Sequence, residues 1–276
     1  MRSSLLWLPL LLAAGCGKTS TSGWQRVGLL PVEDLRAGAP ADGEAEGVRV
    51  AVWNALQGQA GVHAVMVSHR RDLPELGATR VLEGYFDGAR YQFRWGDEAL
   101  SCQGGLERCA AQVANRVSSD LGTSPRPVPK PVALRAIATG SGFAAAASAN
   151  PELAAAWLGW SGEVQLTGGP AAALQVLQSA PVDRMAPYDA ARIRLKIAEL
   201  RLDRTAYARQ MEALAQAAPG DPDIQEQAAA EAIRRRDAPS ALRFYEASLA
   251  MRPRPQSFNQ AAYAADHRKI AVAIAD

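Results

Sequence analysis

Residues 123–132, "TSPRPVPKPV", carry four prolines in ten positions. Proline has no backbone N–H for a helix or a ladder, and it disfavours helical geometry in the residue before it. No regular element runs through such a stretch, which reads as a semi-rigid extended linker. Whatever folds before it must close its own core, and so must whatever follows. The two flanks differ in kind. Before the linker, short runs rich in β-branched and aromatic residues alternate with helical patterns. After it, alanine dominates and no strand pattern appears.

Upstream, "RVGLLPVEDL" reads as a short buried strand, Val27 to Leu30, ending at Pro31. "EAEGVRVAVWNALQGQ" then places Val48, Val52 and Leu56 at four-residue spacing on one helical face. "VHAVMVS" is a second buried strand, and "RRDLPELG" gives a helical turn or two before Gly77. In "ATRVLEGYFDGARYQFRW", two strands flank Asp87-Gly88, both of which tolerate the positive φ of a tight turn. Tyr91, Phe93 and Trp95 alternate with Arg90, Gln92 and Arg94, which gives one aromatic and one charged face. Leu106, Cys109, Ala110, Val113, Val117 and Leu121 form an amphipathic helix with Cys109 on its buried side. The order is strand, helix, strand, short helix, hairpin, helix, which implies a small mixed sheet covered by helices over residues 25–122. It resembles the TolB amino-terminal-like domain of bacterial lipoproteins. "VGLLPVEDL" matches that family's opening strand, and "LGATRVLEGYFDGARYQFRW" matches its "G-x-x-x-x-L-x-G" hairpin. The chain departs from the family in a shortened stretch after Trp95, where a further strand is usual. The likeness rests on glycines and apolar residues and implies no catalytic group.

Downstream, Pro151, Pro219 and Pro253 fall on a grid of about 34 residues, with Met185 at the missing point. Ala173 and Ala241 share a phase, as do Phe143, Leu177 and Tyr245, and Ala146, Ala180 and Ser248 form a third row. Small side chains let paired helices approach, larger ones fill the gap beyond, and proline ends the second helix of each pair. The pattern resembles the tetratricopeptide repeat, most clearly in "WLGWSGEVQLTGGPAAALQVLQSA" and "AAAEAIRRRDAPSALRFYEASLAMRP". Tyr188 to Ala218 is a degenerate copy, with Tyr207 at the small-residue phase. One motif here is a decoy. Gly140-x-Gly142-x-x-Ala145 imitates a dinucleotide fingerprint, with Glu163 about twenty residues on, but a parallel strand must follow its helix. "NPELAAAWLGWSGEVQL" instead reads as a helix opened by Asn150 and Pro151, so the glycines mark a turn between helices.

The amino terminus bears on compartment. "LLLAAGCGKTS" ends in Gly17-Lys18-Thr19, as a phosphate-binding P-loop does, but Leu12 occupies the position where that loop requires glycine. Arg2, the apolar run Leu5 to Ala14 broken by Pro9, and the small residues Ala13-Ala14-Gly15 before Cys16 resemble the lipobox of bacterial lipoproteins. Ala13 stands where that motif more often has leucine. The resemblance implies cleavage after residue 15 and diacylation of Cys16. An ordinary secretory signal is the plainer alternative, and either way the mature chain is exported. Gly17 after the cysteine, where aspartate is absent, favours sorting to an outer membrane. In an exported chain Cys102 and Cys109, in "SCQGGLERC", most simply form a disulfide that ties a strand end to the following helix.

Other functions find little support. The 30 lysines and arginines nearly balance 28 carboxylates, which argues against a nucleic-acid surface. Three histidines, His63, His69 and His267, lie far from the cysteine pair, so no metal cluster is expected. "GWSGE" has the wrong glycine spacing for a nucleophile elbow, and no cofactor motif survives. The expected architecture is α+β: a signal peptide (1–15), a tether (16–24), a small mixed α/β sandwich domain (25–122), a linker (123–132) and an all-α helical-repeat array (133–276). The expected function is a non-enzymatic, lipid-anchored adaptor, with the membrane reached through Cys16 and a cell-envelope protein as partner. Contact positions on the first helix of each pair are Trp157, Glu163, Arg192, Arg194, Gln225 and Asn259. Solvated surface is the simpler account of each, or core packing for Trp157. Arg234 to Arg236 face water or an acidic partner. The alternative is an envelope sensor, its ligand pocket lined by the hairpin aromatics and its state relayed by the repeats.

Overall fold

The structure, a computed structural model, describes residues 24–251 apart from Ala39 and Ala60. The signal segment, Cys16, Pro253 and Asn259 therefore lie outside the described residues.

A five-stranded mixed sheet opens the fold, in the order β2-β1-β3-β4-β5. Strand β1 (Gln25–Asp34) pairs in parallel with β2 (Val62–Met66) and β3 (Arg80–Phe86). Strands β4 (Arg90–Trp95) and β5 (Glu98–Gln103) continue antiparallel. Helix α1 (Glu44–Leu56) crosses from β1 to β2 and packs beside α3 (Leu106–Asp120) on one face. Val27, Leu29, Val48, Val52, Leu82, Phe93, Trp95, Val113 and Val117 fill the space between helices and sheet. The short α2 (Leu73–Leu76) covers a corner of the other face, over Leu30 and Val67.

Two expectations need correction. Strand β1 does not stop at Pro31 but continues to Asp34, because its pairing shifts between Leu29 and Val32 and leaves the proline in the irregularity. The stretch after Trp95 is not strand-free: β5 follows at once, a half-exposed edge carrying Cys102. The hairpin forms as expected, although Gly88 alone takes positive φ (98°). Asp87 contributes through its carboxylate, which accepts from the backbone N–H of Ala89 and Arg90 at 2.9 and 2.7 Å.

A helical array follows: α4 (Pro131–Thr139), α5 (Phe143–Ala149), α6 (Ala154–Gln178), α7 (Pro187–Leu200), α8 (Arg204–Ala217), α9 (Pro222–Arg234) and α10 (Ala238–Met251). Gly140 and Gly142 are the left-handed turn between α4 and α5, as expected of the decoy motif. Asn150 and Pro151 do not open α6, which starts three residues later behind Leu153. Gly169 (φ 75°) breaks α6, and the helix resumes at Pro170. Second helices thus begin at Pro170, Arg204 and Ala238, a spacing of about 34 residues. The rows of small residues are buried: Ala146, Ala173, Ala180, Ala241 and Ser248 all lie within the packing.

The linker is also closer packed than its composition suggests. Pro131 already starts α4, whose Leu134 is buried in the sheet-side core, while Arg135 pairs with Glu44 at 2.7 Å. Upstream, Ser124 accepts from Gln59 at 2.9 Å, Val128 packs on the same core, and Arg126 pairs with the buried Asp189 of α7. The array leaves the sheet at α4 and meets it again at its far side. There the Tyr188 hydroxyl donates to Gln57 Oε1 at 2.9 Å, and Gly220 lies against Trp24 and the Val62 carbonyl.

Candidate functional site

The turns inside the last two helical pairs match residue by residue. In the first, Arg201 caps α7, Leu202 takes φ 55°, and Asp203 accepts from Ala206 N–H at 2.9 Å to open α8. In the second, Arg235 caps α9, Arg236 takes φ 60°, and Asp237 accepts from Ser240 N–H at 3.2 Å. The backbone bonds repeat too: Asp203 N–H reaches Ala198 O at 3.0 Å, and Asp237 N–H reaches Ala232 O at 2.9 Å. Such a six-to-one bond closes a helix whose next residue is left-handed. Ala198 and Ala232 are both buried, so each pair closes tightly at its turn.

Leu202 protrudes from this edge, 87% exposed, and Leu166 of the preceding pair is 89% exposed. Beside Leu202 a cleft of about 450 Å³ runs between the α7–α8 turn and α9, lined by Ala198, Glu199, Asp203, Arg204, Tyr207 and Arg234. It offers an apolar floor from Ala198 and Tyr207 and charges of both signs at the rim, the arrangement of a peptide-sized contact surface. Neither Leu202 nor Tyr207 stood among the contacts expected from sequence. The signal was present in the repeated x-Arg-x-Asp of "LRLD" and "RRRD", one repeat apart.

The expected contact residues are not gathered on one face. Trp157 is 8% exposed, and its Nε1 donates to the Pro151 carbonyl at 2.8 Å, so it is packing. Gln225 is 3% exposed, and its Nε2 donates to the carbonyls of Ala215 and Ala218 at 2.7 and 3.1 Å, which fastens the α8–α9 reversal. Both are corrections: these groups face inward. Glu163 of α6 accepts from Gly142 N–H at 3.0 Å, at the α4–α5 turn that opens α5. Arg192 lies 5.5 Å over the Tyr188 ring, and the exposed Arg194 pairs with Asp183 at 3.0 Å. Arg234 to Arg236 face water, with Arg234 held to Glu231.

The sheet module has a cleft of its own, about 610 Å³, on the face opposite α1 and α3. Leu30, Pro31, His69, Tyr85 and Gln92 line it, and Glu83 there is held by both Arg70 and Arg94. Of the hairpin aromatics, Tyr85 and Phe93 border this cleft, while the Tyr91, Phe93 and Trp95 side chains are buried in the core. The Tyr91 hydroxyl donates to the Glu44 carbonyl at 3.1 Å, and burial pushes its pKa up. The sulfurs of Cys102 and Cys109 are bonded, with Cα atoms 5.5 Å apart, and tie β5 to the start of α3. Compared with known proteins, the chain matches no family model, no curated relative and no solved structure.

Proposed function

We propose that the chain is an exported, lipid-anchored adaptor that binds a protein partner of the cell envelope through tetratricopeptide-like repeats, without chemistry of its own. The observation that carries this reading is the residue-by-residue return of the Arg-x-Asp turn. A turn repeated at about 34 residues is what stacked helical hairpins require, and stacked hairpins present extended surface. The cleft beside Leu202 and Tyr207 supports a binding edge there. The lipobox-like segment ending at Cys16 supports attachment to a membrane, with Trp24, where the tether joins, packed against Gly220 on the edge away from Leu202. Under this reading the anchor leaves the turn edge facing outward.

Two measurements test it. Intact mass and membrane fractionation of wild type and Cys16→Ser, in a lipoprotein-processing host, should show acyl mass and membrane pelleting in wild type alone. A photo-crosslinker at Leu202 should trap one partner in the envelope, and the same probe at exposed Arg116 on α3 should not. Equal crosslinking from both sites would sink the adaptor reading. Loss of the acyl mass alone would sink only the anchor.

A further inference from the structure

The helical array touches the sheet module twice, near its start and again far along the chain. The first contact, α4 on α1, shares the apolar core through Leu134. The second is different in kind. It consists of Gln57, Gly58, His63 and Val62 on the sheet side and of Tyr188, Ala218, Gly220 and Asp221 on the array side. The void left between them is about 10 Å³, room for a single water at most. His63 lies in this seam, on β2 opposite Arg26 of β1. Its Nδ1 is shut off from solvent and has no hydrogen-bond partner.

We propose that this second contact is an acid-sensitive latch, closed while His63 is neutral and released when its imidazole is protonated. The argument is geometric. A charged imidazolium must be solvated or hydrogen-bonded through both nitrogens, and a seam with room for one water at most gives Nδ1 no protein acceptor and no bulk hydration. Opening the seam restores hydration, so protonation and closure oppose each other.

The surrounding charges set the sign. Arg26 on β1 disfavours a second cation, and the positive end of α9, whose first residue is Pro222, points the same way. Asp221 and Asp223 at that helix start favour the cation. Tyr188, from α7, is held neutral by burial. Burial of His63 itself outweighs the aspartates, and its pKa lies below 6.5 in the closed state. Closure is therefore complete above the ordinary histidine pKa of about 6.5 and weakens as pH falls through the lower closed-state value. Because α4 stays in the core, release lets the distal helices swing while the module boundary remains intact. The latch does not depend on the adaptor reading.

The test uses the full chain in detergent, with spin labels at the exposed Asp97 and Arg209. A single distance at pH 8 should give way to a second, longer population as pH falls towards 5. His63→Gln should keep the single distance throughout, and Asp223→Asn, which removes a charge that steadies the imidazolium inside the closed seam, should move the release to higher pH while lowering the closed-state imidazole pKa. Imidazole titration by NMR on the unsubstituted chain supplies a readout that needs no variant to fold. A distance unchanged from pH 8 to 5, a His63→Gln protein with the wild-type transition, or a His63 pKa at or above 6.5 would each overturn the latch.

Discussion

Leu202 and Arg236 hold the same left-handed backbone position, φ 55° and 60°, in successive helical pairs. Non-glycine residues are penalised there by about 1–2 kcal/mol, because Cβ crowds the neighbouring carbonyl. Neither side chain recovers that cost by burial, since both face solvent. Leu202→Gly is therefore expected to raise stability by up to about 1 kcal/mol, part of the gain being offset by the freer unfolded glycine. Leu202→Val should lower it by about 1 kcal/mol, because β-branched residues fit positive φ worst. Asp203→Ala and Asp237→Ala should each cost about 1 kcal/mol through loss of a helix cap. Urea denaturation of the variants checks the set. A destabilised Leu202→Gly would mean that the leucine side chain packs in solution.

Arg126 reaches from the proline-rich strap to Asp189 on α7, whose side chain is 2% exposed. Burial lowers the Arg126 pKa, and the guanidinium also lies 5.9 Å over the Tyr188 ring. Removing either partner strands a buried charge, so Asp189→Ala should cost about 3 kcal/mol or more. The double change Arg126→Met with Asp189→Leu should cost much less than the sum of the single ones, as measured by a double-mutant cycle. Additive losses would show that the two residues act separately.

Elements with strong local patterns were legible in the sequence. The alternation of Tyr91, Phe93 and Trp95, the apolar stripe of α3 and the turn at Asp87-Gly88 each specify their geometry within a few residues. Strand β5 was not, because it is a six-residue edge whose alternation is shallow: Cys102 is its one buried residue, and Glu98 and Leu100 on the same face are only half-buried. Pro31 misled for a related reason. A proline ends a regular ladder, but here it falls in an irregularity that only the pairing with β3 defines. The binding surface was least legible. Gln225 reads as a surface amide until the α8–α9 reversal brings two backbone carbonyls to its Nε2, and Leu202 reads as a core residue until the turn turns it outward.

Asp34 and Asp42 converge on Arg36, at 2.6 and 2.8 Å. The Arg36 hydrogen bond holds Asp42 at about 2 and draws Asp34 below its usual value. Both carboxylates thus have folded pKa values under the unfolded value of about 3.9. Their contribution is complete above pH 4 and is lost as pH falls from about 4 towards 2. Carboxyl NMR titration should find Asp42 ionised well below pH 3, and Arg36→Met should return it towards 3.9. A normal Asp42 titration in the unsubstituted chain would show that the pair is open in solution. This carboxylate window opens near pH 4, below the pH of about 6.5 at which the His63 window opens, so a single pH series can follow both onsets.

The bond between Cys102 and Cys109 closes a loop with a sequence separation of 7, between an edge strand and the first turn of α3. A loop that short restricts the unfolded chain by about 2–3 kcal/mol. Cys109 is fully buried and Cys102 nearly so, which leaves two small apolar thiols in place after reduction and no cavity. Reduction, or Cys102→Ala with Cys109→Ala, should therefore lower stability by about 2–3 kcal/mol without unfolding the sheet module. Its effect should be confined to β5 and α3, read as faster amide exchange there than in β1 or α1. Exchange that accelerates equally in the array, at α8 or α9, would mean that the α3 side of the core also supports the distal contact. That outcome would tie the disulfide to the seam at Tyr188, where Arg126 of the strap after α3 meets Asp189.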